Sequence, residues 1–213
     1  MLTRAWMGHV SPEWTIRVGG QGRHAGNDAA GGFDPAWADA DDRALVDLCL
    51  AGRRNAFDVV VERHRRQVYQ LCYRYVGNHE DAADLAQDAF IRAFKGLNGF
   101  KGEASLGTWL YRIAVNVCLN RLALKTPRSE PLEPAERIDL RAERPDAALM
   151  RDERAAEVRA AIRQLPPKQR ATLILRIYHD LPHEEIAGIL GSSVGAAKAN
   201  LFHAIASLKK LLR

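Results

Sequence analysis

From Asp41 onward, apolar residues return every three or four positions, with polar residues between them. That period sets apolar side chains on one face of an α-helix, and nothing after residue 40 alternates as a strand does. Leu45, Leu48 and Cys49 open the pattern, and Phe57, Val61, His64, Val68, Leu71, Cys72 and Tyr75 continue it. Gly77-Asn78 breaks the run, and Asn78 stands where a helix cap belongs. Ala82, Leu85, Ala86, Ala89, Phe90, Ala93 and Phe94 then form the cleanest apolar stripe in the chain. After a polar loop, Asn98 to Ser105, the pattern predicts a helix from Gly107 to Leu124, with Trp109, Ile113 and Val117 sharing a core-facing side. A second block starts near Ala147, pauses at Leu165-Pro166-Pro167 and again at Asp180-Leu181-Pro182, and runs on to Leu212.

The interruptions divide the chain. Residues 1–40 hold 7 of the 16 glycines and little apolar surface, which predicts a flexible N-terminal extension. Four of the nine prolines fall between residues 127 and 145, marking a linker over 127–149. The expectation is an all-α protein: two small helical domains, 41–126 and 150–213, joined by a flexible linker.

Charge adds a direction to this plan. The net +5 is uneven: residues 151–213 carry 11 basic against 6 acidic side chains, and none from Ile186 onward is acidic. A basic end invites a polyanion such as nucleic acid. The three cysteines, Cys49, Cys72 and Cys118, are scattered through apolar periodic segments, which fits buried thiols in a reducing compartment and a cytoplasmic protein. No apolar run reaches the roughly 18 residues of a membrane span, so no membrane insertion is expected.

Two segments carry candidate chemistry. Ala187, the turn at Gly191-Ser192-Ser193 and Val194 follow the helix-turn-helix pattern, in which a small residue lets the helices cross closely and glycine permits the turn. Ser193, Ala196, Lys198 and Asn200 then stand nearest bases and phosphates. The stretch from Phe100 to Asn116 sets aromatics, cations and an amide around a loop and a helix start, a combination suited to unstacked bases. Its polar members are Lys101, Ser105, Arg112, Asn116, Asn120 and Arg121. Other readings fail on spacing. Gly20-x-Gly22-x-x-x-Gly26 displaces the third glycine of a dinucleotide fingerprint, and His183-Glu-Glu-Ile-Ala187 lacks the second histidine of a zinc helix. No cofactor, metal or catalytic set is expected.

The motifs together resemble bacterial sigma factors. Asp81-Ala-Ala-Asp-Leu-Ala-Gln-Asp-Ala-Phe-Ile-Arg-Ala-Phe94 is similar to their core-polymerase-binding helix, and Thr108-Trp-Leu-Tyr-Arg-Ile-Ala-Val-Asn116 to their −10-reading segment. Leu165-Pro-Pro-Lys-Gln-Arg170 and Leu181-Pro-His-Glu-Glu-Ile-Ala187 resemble the two halves of their −35-binding domain. Order and spacing are those of the extracytoplasmic-function group of the sigma-70 family, over roughly 70% of the chain.

The resemblance implies a sigma region 2 bundle, a sigma region 4 helix-turn-helix and a non-catalytic specificity subunit. Its partners would be the β′ and β subunits of core RNA polymerase, promoter DNA and an anti-sigma factor. Asp84, Gln87, Asp88 and Arg92 would meet the β′ subunit. Asn116 and the loop Phe100–Leu106 would hold a flipped −10 base, whose capture offsets the cost of opening the duplex. Ser193, Ala196, Lys198, Asn200 and His203 would meet the −35 element. One departure stands out: relatives commonly carry arginine where this chain has Asn200 and His203, and a basic residue where it has Ile205. Lys198 is the sole fixed charge from Val194 to Leu208, so a weaker or differently read −35 element is expected. A plain helix-turn-helix regulator, or an enzyme with a DNA-binding appendage, are the rival readings. The acidic face at Asp84, Gln87 and Asp88 separates the first from a sigma factor, and no catalytic constellation supports the second.

Overall fold

A computed structural model of the chain describes residues 37–125 and 145–212. The glycine-rich extension, up to residue 36, and most of the linker, 126–144, lie outside the described residues. The described elements are helices throughout: α1 Asp42–Leu50, α2 Ala56–Val76, α3 His79–Gly96, α4 Leu106–Lys125, α5 Pro145–Gln164, α6 Pro167–Tyr178, α7 His183–Leu190 and α8 Val194–Leu211. A 3₁₀ turn, Leu97–Gly99, links α3 to the loop before α4.

Local chemistry sets the helix ends. Asp41, Asn78 and Ser193 each accept a hydrogen bond from the backbone N–H three residues on, starting α1, α3 and α8. The periodicity from Leu45 to Tyr75 reads as one face, yet it belongs to two helices. Gly52 adopts a left-handed φ of 92° and folds α1 back onto α2. Asp42 secures that fold-back, accepting from Arg63 Nη1 at 2.6 Å and from His64 Nε2 at 3.1 Å. Gly77 ends α2 with a φ of 84°, another conformation that a side chain resists.

Helices α2, α3 and α4 pack around Phe57, Val60, Val68, Leu71, Cys72, Tyr75, Ala82, Ala86, Ala93, Leu110, Ala114 and Cys118, with α1 closing one side. Each large apolar side chain so buried contributes about 1.5–3 kcal/mol. The centre of the buried face of α4 is Leu106, Leu110, Ala114, Val117 and Cys118. Of the expected trio only Val117 is fully buried; Trp109 and Ile113 lie at the edge. The three cysteines are free thiols, two of them buried, with Cys72 and Cys118 3.8 Å apart sulfur to sulfur.

The second block, α5–α8, shares most of its buried apolar residues with the first. Ala171, Ile174, Leu175, Ile186, Ala187, Ile189 and Ala197 join the same apolar cluster as α1–α4, because α6 lies on α2 and α7 on α4. A smaller cluster, Ile162, Leu165, Leu173 and Ala204, holds α5 and α6 to α8.

Candidate polymerase and nucleic-acid interfaces

The apolar stripe of α3 faces inward, and this turns Asp84, Gln87, Asp88 and Arg92 outward together. Asp84 and Gln87 are exposed. Asp88 is gripped by Arg92, whose Nε reaches both carboxylate oxygens at 3.0 Å. That hydrogen bond, and then the carboxylate charge, hold the Arg92 pKa above its ordinary value. Asp81, at the start of the helix, is turned aside to Asn78 and to Arg121 of α4, 3.2 Å away. The outer face of α3 thus carries the exposed carboxylates of Glu80 and Asp84, the Gln87 amide and one bidentate ion pair.

The loop Phe100–Ser105 and α4 form the second surface. Phe100 and Trp109 pack with their rings tilted by 59° and centroids 5.4 Å apart, and floor the loop. Lys101, Arg112, Asn116 and Asn120 are all exposed. The last three recur every four residues and make one polar stripe along α4. Two other expected members have local work. Ser105 Oγ accepts from the Thr108 N–H at 3.0 Å and caps α4. Arg121, turned about 100° from Asn120 around the helix, leaves the stripe for Asp81.

In the helix-turn-helix, α7 ends at Gly191, whose left-handed φ of 57° makes the turn that the spacing predicts. Ser193 caps α8, accepting from the Ala196 N–H at 3.1 Å. Ala197, Ala204 and their neighbours Leu201 and Leu208 face the core. The outward ridge is therefore Gly195, Ala199, Phe202 and His203, with Lys198 on one flank and Asn200, half-buried, on the other. Phe202 is 71% exposed, the most exposed large apolar side chain among the described residues. The motif-based reading of this helix leaves Phe202 unassigned. The signal that would have found it is angular, since it stands about 140° from Ala197 around the helix.

A seam joins these surfaces across the two blocks. Tyr75, fully buried in α2, donates its O–H to the carbonyl of Pro167 at 2.7 Å. Arg170, 7% exposed, reaches the opposite way: Nη1 donates to the Tyr75 carbonyl at 3.1 Å, and Nη2 to the carbonyls of Arg163 and Leu165. Its positive charge meets the negative ends of α2 and α5 at once. Burial lowers its pKa, while nearby Tyr75 opposes that effect. Arg74 lies 3.5 Å over the Tyr178 ring. His179 Nδ1 lies 3.1 Å from the Tyr111 hydroxyl; burial first, and Arg74 second, pull the His179 pKa down to about 4. Thr108 Oγ1 donates to Glu185 Oε2 at 2.6 Å, linking the start of α4 to the first turn of α7.

Comparison with known proteins gives these surfaces a family. Sigma-70 region 2 matches residues 60–126, and Sigma-70, region 4 matches residues 155–208. The RNA polymerase sigma-H factor of Pseudomonas aeruginosa is 34% identical over 181 residues, covering 81% of this chain and 94% of that protein. The chain belongs to the sigma-70 family. Its group is the extracytoplasmic-function one: the factor SigW of Bacillus subtilis is 33% identical over 76% of this chain and 91% of its own. The extracytoplasmic-function sigma-E factor of Escherichia coli is 33% identical over 76% of this chain and 90% of that protein. The solved structure of CnrH in complex with the cytosolic domain of CnrY matches with a TM-score of 0.59 at 25% identity, over 80% of this chain and 96% of that one. The sigma factor RpoE of Bartonella quintana, solved with the anti-sigma factor NepR, shares the fold with a TM-score of 0.57 at 20% identity, over 74% and 97% of the two chains. This sigma factor therefore serves promoter recognition and transcription initiation. Its region 2 match takes in most of α2 and all of α3 and α4, and its region 4 match the second half of α5, all of α6 and α7 and most of α8.

Proposed function

We propose that this alternative sigma factor works without chemistry of its own, as a cytoplasmic specificity subunit with no cofactor. Asp84, Gln87, Asp88 and Arg92 dock on the β′ subunit of core polymerase, where carboxylates pair with basic side chains. Lys101, Ser105, Arg112, Asn116, Asn120 and Arg121 take the −10 strand, with Asn116 and the loop Phe100–Leu106 holding an extruded base. Ser193, Ala196, Lys198, Asn200 and His203 meet the −35 element, and Phe202 joins them. An anti-sigma factor is the expected silencing partner; the Bartonella quintana factor is solved in complex with one.

The observation that carries this reading is the exposed polar stripe Arg112, Asn116 and Asn120 beside an aromatic-floored loop. A helix face of that kind has no folding role, and its aromatic, cationic and amide groups suit a single strand. Asp84 and Gln87, exposed, and Asp88, half-exposed, on a helix whose other face is core, support a protein partner there. A plain DNA-binding regulator has no use for them.

Run-off transcription from a genomic fragment library, with purified core polymerase, is the test. New start sites should appear only with this protein. Asn116→Ala should lose those starts while keeping core binding. Asp88→Arg should lose core binding with an unchanged helical circular dichroism spectrum. Unchanged affinity for core enzyme in Asp88→Arg would remove α3 from the interface.

A further inference from the structure

The loop proposed to hold the −10 base has a neighbour outside both family matches. Helix α1 precedes residue 60, where the region 2 match begins. Arg43, in its first turn, reaches across to that loop. Its Nη1 stands where a Cβ on Gly102 would be, and its Cζ is 3.7 Å from that point. Gly102, with a left-handed φ of 73°, leaves the space that the guanidinium fills. The other end of the loop is abutted in the same way. His64, 3.1 Å from Asp42 of α1, lies 3.7 Å from where a Cβ on Gly107 would stand. The first turn of α1 is thus fitted to the loop directly through Arg43, and indirectly through Asp42 and His64.

Folding gives little reason for a cation at this place. The N-terminus is the positive end of a helix dipole, so a guanidinium in the first turn is mildly destabilising. Arg43 Nε lies 3.5 Å from Asp47 Oδ1, with the two side chains 64% and 61% exposed. Exposed pairs at this spacing contribute little, and least when the cation is the N-terminal member. The carboxylates before it are engaged elsewhere: Asp41 accepts from the Ala44 N–H, and Asp42 from Arg63.

A base drawn out of a strand keeps a phosphate on each side of its sugar, and contacts to those phosphates fix its position. Lys101 and Arg112 line a cleft on the α4 side of the loop, together with Phe100 and Trp109. Arg43 meets the loop from the α1 side, its planar fork beside a residue with no side chain to block a ligand. We infer that Arg43 is a strand-binding residue, pairing with a phosphate next to the extruded −10 base, and that α1 belongs to the −10 surface. This inference rests on the assignment of Lys101, Arg112 and the loop Phe100–Leu106 to the −10 strand.

The test uses the full chain assembled with core polymerase, with core alone as the blank. Fluorescence anisotropy follows a fluorescein-labelled, random-sequence 15-nucleotide single-stranded DNA pool over a salt series. Arg43→Gln should weaken binding about fivefold at low salt and make the slope of log affinity against log salt shallower by about 0.7, the value of one single-strand phosphate contact. Arg43→Lys keeps the charge and should keep the slope. Arg54→Gln removes a charge from an exposed site beyond the C-terminal end of α1 and should change affinity less than about twofold. Lys101→Ala/Arg112→Ala reports on the −10 surface itself and should also weaken binding. An unchanged slope in Arg43→Gln, or an equal loss in Arg54→Gln, would overturn the phosphate contact. So would a slope that falls as far in Arg43→Lys as in Arg43→Gln. If Lys101→Ala/Arg112→Ala still weakens binding in those cases, the −10 surface stands without α1. No loss in Lys101→Ala/Arg112→Ala would overturn both assignments. Circular dichroism of each variant establishes that the helices are retained.

Discussion

Arg170 shows how much one side chain can settle. It is a buried charged residue in the seam between the blocks, and it is tolerated because three carbonyls at the ends of α2 and α5 receive its hydrogen bonds. Arg170→Met keeps the length but leaves those carbonyls without partners, which should cost about 3 kcal/mol in a urea unfolding experiment. Tyr75→Phe removes a single neutral hydrogen bond to Pro167 and should cost only about 1 kcal/mol. The ordering of these two losses is the check: a larger loss for Tyr75→Phe would mean the seam is held by the hydroxyl. His179 titrates in the opposite sense to a histidine that gains an acidic partner. Its pKa is about 4 when folded, below the ordinary 6.5, so between those values the unfolded chain binds the extra proton. Stability contributed by neutral His179 is complete above pH 6.5 and is lost as pH falls toward 4. His179→Gln should flatten that part of the stability-versus-pH curve, and an unchanged slope would assign the effect to another group.

Helices present these residues by a simple rule, in which the buried stripe decides what is left outside. On α3 the stripe from Ala82 to Ala93 leaves Asp84, Gln87 and Asp88 outward. That outcome was legible because every apolar residue of α3 obeys one period. On α8 the rule was harder to read. Leu201, Phe202, Ile205 and Leu208 are all apolar, yet only Leu201 and Leu208 join the core cluster, and Phe202 stands out in solvent. A side chain 71% exposed contributes little to folding. Phe202→Ala should leave the free energy of unfolding within about 0.5 kcal/mol of wild type and weaken binding to promoter duplex. A large stability loss with unchanged DNA binding would return Phe202 to the core. With Lys198 as the only fixed charge from Val194 to Leu208, each phosphate contact an arginine would have made is missing. The slope of log affinity against log salt should fall by about 0.9 for each such contact relative to an arginine-rich factor. Replacing Asn200 and His203 by arginine should restore that slope, as titrations of a −35 duplex would read.

At the scale of the whole molecule, the sequence by itself determined the helical class, the two blocks, the caps at Asn78 and Ser193 and the turn at Gly191. These follow from local rules: a period of 3.6, a side-chain oxygen before a first turn, and a glycine where the backbone must be left-handed. It also carried enough residues of three motifs to be matched to a family. The closure of region 4 onto region 2 was decided only by tertiary structure. Thr108 and Glu185 are 77 residues apart, Tyr75 and Arg170 are 95, and no spacing within a motif encodes such a pairing. The periodic pattern divides the chain into two blocks without saying how they meet; one apolar cluster runs through both, and a smaller one lies within the second. Burial of apolar area is non-directional, so a periodic pattern specifies that a face is covered without specifying by what. What covers it here is the other half of the chain, and that choice places two carboxylates across from the cations proposed to take the −10 strand.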